Sequence, residues 1–329
     1  MVLDPFCGKG TIPLEACLSR RLGLGVDVSP EAASAARAAI RAPTLREVEN
    51  HIVTSARRVH AIQDAVELDS VPRDVGQFFH PETLREILAW RKTLEGQRSD
   101  AAHCVRGLLL GILHGKGRTF LSLRCSHAYS MSPKYVRRYV KDHRLRAEYR
   151  NVGQCLLRRA RDVLADGPVP IRGRVWEADA TDLPMPDGIA DLVITSPPYF
   201  SVHRYARENW LRLWFLGYED YREIQRRLIQ TADVGRYRRA MQLAFLEMHR
   251  VLKDGARAII LVGDVPHRRK NREVQMLPTA TFLAEEAENI GFRPEAILID
   301  KIPQSFKVVG YMAPEAGIST ERLLILSKT

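Results

Sequence analysis

The first 28 residues constrain the fold most. Met1-Val-Leu-Asp-Pro-Phe-Cys-Gly-Lys-Gly-Thr11 reads as a short apolar strand running into a Gly-x-Gly turn, and a helical pattern through Ile12, Leu14, Ala16 and Cys17 follows it. About twenty residues on, a second apolar strand, Gly23-Leu-Gly-Val-Asp-Val28, ends with Asp27. Further strand-like runs recur at 175–178, 192–195, 258–263, 296–299 and 322–326, with helical patterns between most of them. Together with 2–4 and 24–28 they make a seven-stranded α/β expectation, a doubly wound, mostly parallel, Rossmann-like sheet. Glycines at 8 and 10 let the backbone come close to a ligand, and helix N–H groups just beyond them can receive a carboxylate. An acid placed as Asp27 is can accept both hydroxyls of a ribose.

A second stretch, Asp191-Leu-Val-Ile-Thr-Ser-Pro-Pro-Tyr199, reads as a buried strand that stops in a rigid, polar, aromatic-tipped turn. Pro197 and Pro198 hold two φ angles and supply no N–H, so the carbonyls of Ser196 and Pro197 need not be consumed by a following helix or ladder. With the Ser196 hydroxyl as another acceptor and the Tyr199 ring as a flat apolar face, the turn is suited to gripping a planar base with an exocyclic amine. Taken alone, Ser-Pro-Pro-Tyr is equally a turn that leaves a strand.

The two motifs together resemble the S-adenosylmethionine-dependent DNA amino-methyltransferases, which modify cytosine N4 or adenine N6. Asp4-Pro-Phe-Cys-Gly-Lys-Gly-Thr11 is similar to that family's cofactor loop and Thr195-Ser-Pro-Pro-Tyr199 to its catalytic loop. The resemblance covers residues 1–42 and 171–329 and implies a class I methyltransferase sheet whose last strand is antiparallel, hairpinned against the one before it. It also implies that Asp4, Phe6, Gly8, Gly10 and Thr11 surround the methionine and sulfonium portion of the cofactor and that Asp27 holds its ribose. Asp179, at the end of a strand over 174–179, with Ala180 beside it, fits the adenine contact; Asp182 competes for that place but reads better as a turn residue before Leu183-Pro184. Ser196, Pro197, Pro198 and Tyr199 form the implied catalytic turn, which acts on a base flipped out of the duplex. Phe200 either lines that pocket or packs. Members of the family carry a helix just before the first motif, whereas this chain opens on the strand itself; the helix expected over 81–94, a truncated start or a partner subunit are the candidates to replace it.

Between the second and third strands lie residues 43–170, too long for a βα connection and helical in pattern, hence an expected subdomain for target recognition. From 98 to 162 there are fifteen Lys and Arg against four Asp and Glu, a local +11 that equals the net charge of the whole chain. An excess confined to one segment and interleaved with Tyr129, Tyr135, Tyr139 and Tyr149 points to a polyanionic partner, although a solvated helical face is the plain alternative. Lys134, Arg137, Arg138 and Lys141, with Arg204 and Arg207 after the catalytic turn, are the expected phosphate contacts on double-stranded DNA. Helices are also expected over 240–252 and 278–290, with Met241 and Met248 in the core.

Composition narrows the rest. No apolar run approaches the roughly 20 residues a membrane span needs, and no signal segment is read at the start. Five scattered cysteines without a C-x-x-C pair argue against disulfides or zinc, and ten histidines lack ligand spacing, so no metal is expected. A cytoplasmic, nucleoid-associated protein is expected; a homodimer and a restriction partner stay open. No Pro-Cys loop of the carbon-5 cytosine enzymes is present. Serine at 196, where adenine-modifying relatives more often carry Asp or Asn, tilts the reading to cytosine N4. Adenine N6, an RNA guanine-N2 methyltransferase and a catalytically silent nucleic-acid-binding protein are the rivals. If four of the basic residues meet phosphates, counterion release makes affinity for duplex DNA fall by about a hundredfold between roughly 50 and 200 mM salt. A flat response in a salt titration of binding would rule the polyanion reading out.

Overall fold

The computed structural model describes residues 1–115, 117, 119–124, 133–200, 205–231, 233–268, 274–301 and 320–329. In chain order its elements begin with β1 (Val2–Asp4), α1 (Thr11–Leu18), β2 (Gly23–Asp27), α2 (Pro30–Ile40), α3 (Leu45–Ile62) and α4 (Arg73–Gly76). There follow α5 (Pro81–Leu94), α6 (Asp100–Ile112), α7 (Pro133–Asp142), α8 (Val152–Val163), β3 (Arg174–Glu177) and β4 (Ala190–Thr195). Three short helices come next, α9 (Tyr205–Glu208), α10 (Trp210–Phe215) and α11 (Tyr221–Arg227), and then the long α12 (Val234–Val251). The chain closes with β5 (Leu252–Gly263), β6 (Val265–Arg268), β7 (Val274–Leu277), α13 (Thr279–Glu288), β8 (Phe292–Lys301) and β9 (Thr320–Lys328). Two compact units result, one of Met1–Val28, Arg174–Arg204 and Arg227–Thr329, the other of Ser29–Gly173 and Tyr205–Arg226.

The first unit is built on a seven-stranded sheet in the order β3-β2-β1-β4-β5-β9-β8. From β3 to β5 every pairing is parallel, and β9 runs antiparallel to both of its neighbours, as the resemblance implies. Helices cover both faces. On β2, Leu24 and Val26 join the core that α12 and α13 close with Met241, Phe245, Met248 and Leu283, whereas Gly23 and Gly25 turn the opposite way and receive α1. That approach is very close: a Cβ on Gly23 would stand 2.2 Å from the carbonyl oxygen of Pro13, and one on Gly25 2.9 Å from the Sγ of Cys7. Met241 and Met248 are fully buried, as expected.

Some boundaries differ from the sequence pattern for local reasons. Helix α12 starts six residues before 240 because Asp233 caps it, accepting the Arg236 N–H at 2.8 Å. Strand β5 pairs Leu252 with Ala190 and resumes at Arg257 opposite Leu192, so 253–256 loop out with Gly255 at φ +72. The basic stretch after β5 enters an antiparallel hairpin of β6 and β7. Arg250 anchors the connection from β3 to β4, donating to the carbonyls of Leu183 and Met185 and to Asp187.

The second unit is helical and has its own core, with Trp90, Val105, Leu109, Ile87 and Ile52 at its centre. A capping box at Thr44 and Glu47 starts α3, His80 and Pro81 start α5, Ser99 starts α6 and Asn151 starts α8. One buried acid organises it. Glu86 accepts from the Tyr149 hydroxyl at 2.6 Å, the Asn151 amide at 3.3 Å and the Val152 N–H at 2.8 Å, while Thr83 exchanges hydrogen bonds with the Arg150 backbone. The entrance of α8 is thereby pinned to α5.

The contact of α1 with β2 generates a direct test. Gly23→Ala should lower stability by about 1–3 kcal/mol or more, because α1 must move off the sheet. Gly111→Ala, in α6 with nothing near its Cβ position, should instead leave stability unchanged or raise it by up to about 1 kcal/mol. Urea denaturation midpoints that moved alike in the two variants would contradict the packing described.

Candidate active site

Four parallel strands stand side by side as β3-β2-β1-β4, so their carboxyl ends open at one edge. Between β1 and β4 the winding reverses, and such a reversal leaves a crevice beyond the carboxyl ends. Asp4 ends β1, Asp27 ends β2, Asp179 follows β3 and Ser196 follows β4. The candidate cofactor and catalytic residues thus gather at one edge from positions far apart in the chain.

The glycine loop is held by its own backbone. The Cys7 N–H donates to the Val26 carbonyl at 2.9 Å, the Gly10 N–H to the Cys7 carbonyl at 2.8 Å and the Gly8 N–H to Asp27 Oδ2 at 2.8 Å. Gly8 sits at φ +51 and Gly10 at φ +88, a region that side chains disfavour. A Cβ on Gly8 would meet nothing within 4 Å, so the demand there is conformational and the space beside it is open. Gly10 caps α1, whose first N–H groups receive no side-chain cap.

Asp4 joins this loop to the catalytic turn. It is 3 % exposed, and its Oδ1 accepts both the Phe6 N–H at 3.1 Å and the Thr195 hydroxyl at 2.6 Å. Its Oδ2 takes no hydrogen bond among the described residues. Burial raises its pKa to about 7; the two hydrogen bonds oppose the shift and the Asp27 charge adds to it. An acid held this way is half-ionised near neutrality and stabilised by any cation brought to its open oxygen.

In the turn itself Ser196 is exposed, Pro197 buried and Tyr199 half-buried, its hydroxyl donating to Glu321 Oε1 at 3.1 Å. Phe200 is a packing residue, 2 % exposed with its ring edge-on to Tyr237 at 5.7 Å. Strand β3 stops at Glu177 rather than at Asp179, because Asp179 folds into a turn whose Oδ1 accepts from the N–H and hydroxyl of Thr181. Ala180 is buried in the core and Thr11 exposed.

The basic residues belong to the helical unit and are not uniformly presented. Arg138 on α7 is 84 % exposed and pairs with Asp142 one turn on at 3.6 Å, and Lys141 is exposed, while Arg137 pairs with Asp74, Arg150 with Glu148 and Arg161 with Glu49. Arg106 turns inward to the carbonyls of Leu94 and Gln97. Tyr135, Tyr139 and His143 stack along one face of α7, with ring centroids 6.1 and 3.9 Å apart. Arg207 is half-buried on α9; Arg204 lies outside the described residues, as does the side chain of Lys134. Thr195, Glu321 and Tyr237 enter the site without having been singled out by pattern. Thr195 stands inside the motif, but its bond to Asp4 depends on which strands are neighbours, and Glu321 and Tyr237 carry no local signal at all.

No family model and no curated protein matches the chain. Among solved structures, a candidate DNA modification methylase from Thermus thermophilus, in complex with S-adenosyl-L-methionine, aligns at 22% identity over 46% of this chain and 51% of its own, with a TM-score of 0.30. The match spans about half the length of that protein. A SAM-dependent methyltransferase from Methanosarcina mazei aligns at 12% identity over 99% of this chain and 91% of its own, with a TM-score of 0.37. Likenesses this shallow decide neither activity nor substrate.

The Asp4 carboxyl makes stability depend on pH in a stated window. Below its unfolded pKa of about 4 the acid is protonated in both states; from there to about 7 the folded chain keeps a proton that the unfolded chain releases, so stability falls as pH rises and then levels. The penalty above pH 7 is on the order of 4 kcal/mol. Asp4→Asn removes the titration, so its denaturation midpoint should gain on the parent between pH 5 and 8. Parallel curves through that window would show that Asp4 is not a buried acid.

Proposed function

We propose that the chain transfers the methyl group of S-adenosylmethionine to the exocyclic amine of a base flipped out of double-stranded DNA, with cytosine N4 the favoured target. The observation that carries this reading is the hydrogen bond from Thr195 to Asp4, which ties the glycine loop and Ser196-Pro-Pro-Tyr199 to one edge at the reversal of the sheet.

The residues fit the cofactor's groups. Asp4 would hold the ammonium at the open Oδ2, the uncapped start of α1 at Thr11 would receive the methionine carboxylate, and the Asp27 carboxylate would take the ribose hydroxyls. Phe6, Gly8 and Gly10 would border the sulfonium, with open space beside Gly8, and Asp179 with Ala180 would take the adenine. When bound, the sulfonium supplies an electrophilic methyl group.

The amine is a poor nucleophile because its lone pair is delocalised into the ring. The Ser196 Oγ and the Pro197 carbonyl would accept its two hydrogens and draw the nitrogen toward tetrahedral geometry, freeing the lone pair for in-line attack; the methyl carbon–sulfur bond would break as the nitrogen–carbon bond forms, and the methylated nitrogen would then release one proton to solvent. Placement and fixed dipoles do this work, without a strong base and without a covalent intermediate on the chain. Tyr199 supplies the face against which the base rests. Arg138 and Lys141, beside the ring stack of α7, are the surface for the DNA backbone.

Tritium transfer from labelled S-adenosylmethionine to duplex DNA, with RNA in parallel, tests the reading. Label is expected on DNA cytosine, and Ser196→Ala should lower kcat by roughly a hundredfold while leaving S-adenosylhomocysteine affinity in place. Label on adenine would move the target within DNA, label on RNA guanine would replace the substrate, and full activity in Ser196→Ala would remove the turn from catalysis.

A further inference from the structure

The hydroxyl of Tyr237 has no hydrogen-bond partner among the described residues, and its side chain is 1 % exposed. Buried hydroxyls are normally paired, and phenylalanine would fill the same volume without the cost of an orphaned donor. The position is telling. Parallel strands β4 and β5 are joined through α12, so α12 begins at the edge where β4 ends, and Tyr237 lies in its first turn, one residue beyond Arg236 whose N–H the Asp233 cap receives. Its ring packs edge-on against Phe200, the residue after the catalytic turn. Burial pushes the Tyr237 hydroxyl well above the usual phenol range, and the nearby Tyr199 phenol adds to the shift, so it is protonated at every working pH. Tyr199 already donates its hydroxyl hydrogen bond to Glu321.

We infer that Tyr237 is a specificity-determining residue of the same site, its hydroxyl donating a hydrogen bond to a ring acceptor of the target base held at Ser196-Pro-Pro-Tyr199. This rests on the methyl-transfer reading and deepens it. Ser196 and Pro197 offer acceptors to the amine, and in cytosine and adenine the ring nitrogen beside the amine is an acceptor that calls for a donor. In guanine the amine stands between an N–H and an acceptor, so a donor on that side is matched on one edge only. A buried donor raised for one task discriminates strongly, since a base lacking the acceptor leaves it unpaired.

Tyr237→Phe removes the hydroxyl and nothing else. The variant is expected to melt at the parent temperature or above and to bind S-adenosylhomocysteine, measured by calorimetry, as the parent does. Its kcat/KM for DNA methylation is expected to fall by at least about tenfold, with the KM for S-adenosylmethionine unchanged. An active parent with a variant of equal kcat/KM would overturn the inference and leave the proposed function standing. A loss of activity that came with a lower melting temperature and weaker S-adenosylhomocysteine binding would also overturn it, by assigning Tyr237 to the scaffold. A parent that binds S-adenosylhomocysteine but methylates neither DNA nor RNA would end the functional reading and this inference with it.

Discussion

A carboxyl group buried at a sheet edge holds the site together. Asp4 and Thr195 are 191 positions apart, yet the parallel pairing of β1 with β4 sets them side by side and their hydrogen bond spans the reversal of the sheet. Around that bond the other parts take their places. The glycine loop closes on Asp27 through the Gly8 N–H, and the Pro-Pro turn leaves β4 one residue beyond Thr195. A desolvated acid is costly to ionise unless a cation meets it, so the arrangement favours a ligand with a positive charge near Asp4.

The helical unit follows a different logic. Its stability comes from a core of its own and from a buried acid, Glu86, whose two oxygens gather the Tyr149 hydroxyl, the Asn151 amide and the start of α8. Those contacts order the basic, aromatic stretch from α7 to α8. The charge there divides by role. Arg106 satisfies backbone carbonyls inside the unit and Arg137, Arg138, Arg150 and Arg161 are paired, so the excess read from composition overstates the number of cations offered to a polyanion. Arg138 and Lys141 remain on the surface.

Sequence periodicity found the seven strands of the main sheet and the helices α5, α12 and α13, because each carries an apolar pattern of its own period. It did not find the β6–β7 hairpin, whose stretch reads as charge and turn residues. It also ran β3 on to Asp179, since an acid at a strand end and an acid in the turn beyond it look the same along the chain.

The sequence by itself determined the chemistry on offer: glycines where φ must be positive, a proline pair that frees two carbonyls, acids at strand ends and a basic segment. Those properties are local, decided by each residue and its neighbours. Only the tertiary structure decided which groups meet. That Thr195 donates to Asp4, that Tyr199 donates to Glu321, and that Phe200 packs on a Tyr237 whose hydroxyl has no partner among the described residues all follow from strand order and helix placement. Burial and pairing between distant segments are set by the packed sheet as a whole, and no short stretch of the chain carries that information.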